Sequence, residues 1–132
     1  MIFERRRYTV RAEMQNEFIR LQHVRGFEGA IGAIMARLIG YFSIVSDSSE
    51  GFIHLYRYDD FGDWLTRLHG LYDVPELQSY FLAVRQILFR QENDFFLPTP
   101  IDELTPLWSG DNDWLPGEGG HNWDLRESPD LI

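Results

Sequence analysis

Residues 52–58 (FIHLYRY) alternate with the period of a β-strand. Successive side chains of a strand point to opposite faces. Phe52, His54, Tyr56 and Tyr58 therefore share one face, and Ile53, Leu55 and Arg57 the other. The run DSSEG at 47–51 supplies turn chemistry ahead of this strand. Leu38 to Val45 (LIGYFSIV) has the β-branched and aromatic content of a second strand. Two strands joined by such a turn predict a hairpin, and the rest of the chain has to build a sheet around it.

Ile2 to Val10 (IFERRRYTV) is the expected first strand, with Glu4, Arg6 and Tyr8 on one face and Phe3, Arg5 and Arg7 on the other. Met14, Phe18 and Leu21 recur at spacings of four and three and predict a helix over 12–25, stopped at Gly26. A second helical patch is expected at about 28–37, weakened by Gly29 and Gly32. After the hairpin, Asp59 or Asp60 can cap a helix whose apolar stripe is Phe61, Trp64, Leu65, Leu68 and Leu71. Pro75 suits the first turn of a further helix that buries Leu77, Tyr80, Phe81 and Val84. Ile87 to Leu97 is the last strand, ended by Pro98 and Pro100. The order β-α-β-β-α-β is the ferredoxin-like split unit. It is an α+β fold whose antiparallel sheet has helices on one face, and a second copy is the default cover for the other.

Composition excludes several chemistries. The net charge of −9 argues against nucleic acid or an anionic membrane as partner. All 12 basic residues are arginine, so lysine Schiff bases and lysine-dependent phosphate loops are ruled out. With no cysteine there are no disulfides, thiolate nucleophiles or thiolate zinc sites. No apolar run reaches membrane-span length and no charged-then-apolar leader opens the chain, so a cytoplasmic location is expected. The chain divides into a domain at 1–108 and an acidic Gly/Pro-rich tail at 109–132 with six acids and one arginine. That tail is expected to be disordered, or to pack on a partner subunit through Trp114, Leu115 and Trp123.

The opening MIFERRRY, the GYF of Gly40 to Phe42, HLYRYDD from His54 to Asp60, and QEN at Gln91 to Asn93 before a proline-containing stretch resemble the NIPSNAP family of the dimeric α+β barrel group. The resemblance covers about residues 1–108. The family opening reads like tyrosine–glutamate–leucine–arginine before an aromatic residue. Glu4, Arg6 and Tyr8 match it, and Arg5 replaces the apolar residue, putting charge on the face expected under the helices. The resemblance implies a homodimer in which two sheets close into a barrel. It implies little about activity, because this architecture includes cofactor-free monooxygenases, haem-handling enzymes and proteins with no known reaction, and fold does not carry function.

The strand parities predict a polar and aromatic wall of Glu4, Arg6, Tyr8, Tyr41, Tyr56, Tyr58 and Asn93, the candidate ligand-binding set, around His54, the candidate catalytic residue. Ile53 and Leu55 are expected under the helices, which turns the wall into the barrel, where a small molecule could bind. Glu4 beside His54 would orient it and raise its pKa. Three readings stay open. The chain binds a small, partly apolar or aromatic molecule; or it is a cofactor-independent monooxygenase or isomerase with His54 as proton acceptor; or His54 is a structural histidine bonded within the sheet. His23, His54, His69 and His121 do not stand at ligand spacing, so no metal is expected, and no cofactor is expected over the lesser alternative of a haem held by His54 or His69.

Overall fold

The computed structural model describes residues 1–25, 34–46 and 51–114. In chain order these form β1 (Ile2–Val10), α1 (Gln15–Arg25), β2 (Leu38–Ser43), β3 (Gly51–Tyr58), α2 (Phe61–Tyr72), a 3-10 turn at Pro75–Leu77, α3 (Gln78–Ile87), β4 (Leu88–Phe96) and a 3-10 turn at Asp102–Leu104. The four strands make one sheet in the order β2-β3-β1-β4, and every neighbouring pair is antiparallel. This is the expected α+β ferredoxin-like arrangement. The hairpin turn at 47–50, most of the helical patch at 28–37 and the tail from 115 lie outside the described residues.

β1 forms although three arginines run through it, because it is paired on both sides, by β3 and β4, and its charges find partners. Arg5 pairs with Asp94 across β4 on one face. Arg6 pairs with Glu4 on the other. α1 begins later than the apolar spacing suggests because residues 11–14 form a turn. The Met14 N–H donates to the Arg11 carbonyl at 3.1 Å, and Glu13 sits at φ 66°, a left-handed value that cannot continue a helix. α2 begins where the acid pair predicts. Asp60 Oδ1 accepts from the Asp63 N–H at 2.7 Å, and Asp63 Oδ2 accepts from the Asp59 N–H at 2.9 Å. Asp60 is thus the cap, and the Asp59 carboxylate pairs instead with Arg57 and Arg37. Pro75 opens the 3-10 turn that leads into α3.

The pairing of residues into faces follows the alternation, but the orientation of the faces is the reverse of the expectation. Phe18 of α1 stacks on Phe52 at 4.9 Å and lies 5.5 Å from Tyr8. The core beneath the helices contains Ile2, Tyr8, Val10, Phe52, Tyr56 and Tyr58 together with Phe18, Leu71 and Tyr80. The wall of Glu4, Arg6, Tyr8, His54, Tyr56 and Tyr58 therefore faces the helices, and Ile53 and Leu55 face away. The physical reason is that the helices bring their own polar and aromatic groups, Gln22 and Tyr80 among them, which can meet a polar wall.

The outer face carries Phe3, Arg5, Arg7, Ile53, Leu55 and Phe96 by register. Its end near Phe3 is covered by the chain after β4. Phe3 stacks on Phe96 at 5.4 Å and meets the edge of Trp108 at 4.6 Å. Asp113 pairs with the buried guanidinium of Arg57. The Trp108 indole donates to the Trp114 carbonyl at 2.7 Å. Asp113 thus ties the start of the acidic stretch to this chain's own sheet. Arg5, half-buried and paired with Asp94 on this face, does not put charge beneath the helices.

Candidate functional site

The register of the central strands assembles the site. Arg6 lies opposite His54 on β3 and opposite Asn93 on β4, Glu4 lies opposite Tyr56, and Tyr41 of β2 lies opposite His54. All seven candidate ligand-binding residues and His54 come together on the helix side of the sheet.

They divide into two groups. The first is an ion cluster around Glu4, which has no exposed surface. Its Oε1 accepts from Arg6 Nε at 2.9 Å and from the Tyr58 hydroxyl at 3.0 Å. Its Oε2 accepts from the Asn93 amide at 2.9 Å. A buried carboxylate with three donors, one of them charged, is stable where a lone one is not. Glu4 is therefore occupied by Arg6, Tyr58 and Asn93 and does not serve His54, contrary to the expectation.

The second group lines a cavity of about 130 Å³ between the sheet and the helices. Arg6, Tyr8, Tyr41, His54 and Tyr56 form its sheet side; Gln22 of α1, Leu68 and Leu71 of α2, and Tyr80, Val84 and Arg85 of α3 complete it. Glu4, Tyr58 and Asn93 stand behind this lining. An apolar depression of about 310 Å³, walled by Phe18, Ile19, Leu38 and Phe52, adjoins it and shares Gln22, Met35 and Tyr41.

His54 is buried, and its Nε2 has no hydrogen-bond partner among the described residues. Its ring lies face to face with Tyr41 and 4.6 Å from Tyr8. Burial, and secondarily the positive charge of Arg6, hold its pKa well below 6.5. This also reverses the expected upward shift: the nearest charge acting on the ring is a cation rather than a carboxylate. Arg6 is itself nine-tenths buried, with its guanidinium carbon 4.7 Å from the centre of the Tyr56 ring. Its Nη2, like His54 Nε2, is unpaired among the described residues. Burial pushes the hydroxyls of Tyr8, Tyr41, Tyr56 and Tyr80 upward, so all four remain protonated. The Tyr41 hydroxyl donates to Gln22 Oε1 at 3.1 Å and lies 3.3 Å from that of Tyr56.

Gln22, Tyr80 and Arg85 are site residues that strand alternation could not find. Gln22 had a detectable signal, since it follows Phe18 by four positions and so lies on the same helical stripe. Among the described residues no group of three potential metal ligands comes together. No helix among them is long and apolar enough to cross a membrane.

No protein-family model matches this chain, and no curated protein matches it. Solved structures do. An uncharacterized NIPSNAP-like domain protein from Burkholderia xenovorans is 28% identical with a TM-score of 0.69, over 86% of this chain and 92% of that one. A NIPSNAP family protein from Agrobacterium tumefaciens is 26% identical with a TM-score of 0.69, over 76% of this chain and 94% of that one. At 12% identity, a dimeric ferredoxin-like protein from an uncultured marine organism (TM-score 0.56, over 71% of this chain and 84% of that one) shares the fold alone. So does an antibiotic biosynthesis monooxygenase-like protein from Chloroflexus aurantiacus, at a TM-score of 0.50 over 76% of this chain and 96% of that one. The NIPSNAP neighbours carry no assigned function, and their likeness supports a NIPSNAP family assignment for this chain.

Proposed function

We propose that this chain binds a small, partly apolar or aromatic molecule in the cavity beside His54, as a homodimer in the cytoplasm. The observation that carries the reading is a buried His54 Nε2, without a partner among the described residues, on a cavity of about 130 Å³ walled by tyrosine rings. A buried polar atom without a partner costs on the order of 1–3 kcal/mol. A protein folds around such an atom at a binding site more readily than in a plain core. The volume suits a single ring, since apolar cavities of roughly 150 Å³ accept benzene.

Cofactor-independent monooxygenase or isomerase chemistry, with His54 as proton acceptor, is the second reading. The unpaired Nε2 favours it; the low basicity of the ring weighs against it, because an efficient general base titrates near the working pH. Binding is the better supported of the two.

The dimer reading rests on the outer face of the sheet. Phe42 and Phe96 are exposed there beside Ile53 and Leu55, and an apolar sheet face of this kind calls for cover.

Ligand-observed NMR with monocyclic aromatic compounds, combined with shifts of the His54 ring resonances, tests the binding site. Saturable shifts at His54 are expected; millimolar aromatics that leave His54 unmoved overturn the proposal. Native mass spectrometry tests the assembly, with a dimer mass expected and a monomer at micromolar concentration refuting it.

A further inference from the structure

We infer that the guest of this cavity is an anion, a small aromatic carboxylate, held through its carboxylate by Arg6. The inference rests on the binding reading above and names the ligand class for the same site.

The charges point this way. Two arginines line the cavity, Arg6 at its wall and the exposed Arg85 on α3 at its rim. Among the described residues one carboxylate, Glu4, answers them, and it is taken by Arg6 Nε. Arg85 makes no ion pair among the described residues. One positive charge is therefore unmatched around a site that is otherwise walled by rings and aliphatic side chains.

The donors point the same way. Arg6 Nη2 is buried and unpaired among the described residues, although the Nε of the same guanidinium is bonded. An arginine carries five N–H donors in a fixed fork and accepts nothing, so only an acceptor can answer Nη2. The hydroxyls of Tyr8 and Tyr80 line the same space and stay protonated; each can accept as well as donate, yet neither is bonded to Nη2. His54 is neutral and can donate or accept at Nε2 according to its tautomer. A cationic guest would meet Arg6 and Arg85 and find no carboxylate among the described lining residues. A carboxylate on a ring meets Arg6 at one end and the Tyr8, Tyr41 and Tyr56 rings at the other.

Benzoate, benzamide and toluene are the probes, titrated into the full chain by calorimetry with the His54 ring followed by NMR. Benzoate is expected to bind at least about tenfold tighter than benzamide, the margin of a charge-assisted hydrogen bond over a neutral one. If benzamide or toluene shifts His54 as strongly as benzoate at equal concentration, the anion inference is overturned while the binding site stands. If none of the three moves His54, both fall. The double variant Glu4→Gln/Arg6→Gln removes the buried pair together and leaves no lone charge. It is expected to lose the preference for benzoate over benzamide, whatever its absolute affinity; a preference that persists there overturns the role of Arg6. Should the double variant melt far below the wild type, the benzoate-to-benzamide ratio on the wild type decides.

Discussion

The rings of His54 and Tyr41 lie face to face, with centroids 3.3 Å apart and planes 7° from parallel. Tyr41 is fixed in turn by its bond to Gln22, so the stack ties β2 and β3 to α1. Tyr41→Phe keeps the ring and loses that bond, an expected cost of about 1 kcal/mol. Tyr41→Ala loses the ring and opens a void, an expected cost of about 3 kcal/mol or more. Urea unfolding separates the two; equal losses would mean that the hydroxyl, rather than the stack, holds His54.

The depressed basicity of His54 makes stability depend on pH. In the unfolded chain the ring takes up its proton near pH 6.5, whereas in the folded chain it does so only well below that. Between those two values the unfolded state binds more protons, so stability falls as pH drops below about 6.5 and is intact above it. The slope from this group approaches about 1.4 kcal/mol per pH unit. His54→Phe is expected to remove that slope, as read from urea midpoints at pH 7.5, 6.5 and 5.5. A wild-type curve parallel to the variant's over this range would refute the assignment.

The ion cluster predicts strong non-additivity. Glu4→Gln alone leaves Arg6 buried without its counter-charge, an expected loss of about 3–5 kcal/mol. Glu4→Gln with Arg6→Met removes both charges and is expected to restore much of that loss. A double-mutant cycle on melting free energies gives the coupling directly, and additive losses would contradict the geometry.

At the start of α2, Asp60→Ala removes the side-chain cap on the Asp63 N–H. The expected cost is about 1 kcal/mol. Asp60→Asn retains an acceptor and is expected to stay close to the wild type. Denaturant midpoints distinguish the cap from a charge effect.

Much of this site was legible in the alternation of three strands. Period two groups Glu4, Arg6 and Tyr8 on one side of β1, and His54, Tyr56 and Tyr58 on one side of β3. What alternation cannot supply is the side on which the helices lie. Both faces carry large apolar groups here, Phe52 and Tyr56 on one, Phe3 and Leu55 on the other, so hydrophobicity alone does not decide. The deciding information sits in α1 and α3, where Phe18, Gln22 and Tyr80 complement a polar wall. The fate of residues 109–114 was equally hidden, because the Asp113–Arg57 pair spans 56 positions and leaves no local pattern.

The bond between Glu4 and Asn93 joins residues 89 positions apart. During synthesis Glu4 leaves the ribosome long before the strand that completes its shell of donors, and nascent chains grow at about 5–20 residues per second. For several seconds the carboxylate can be satisfied only by water and by whatever fragment of the sheet has formed. A nascent chain arrested ahead of β4 therefore cannot close the interior around Glu4, and the cavity beside His54 is a product of the last strand to arrive.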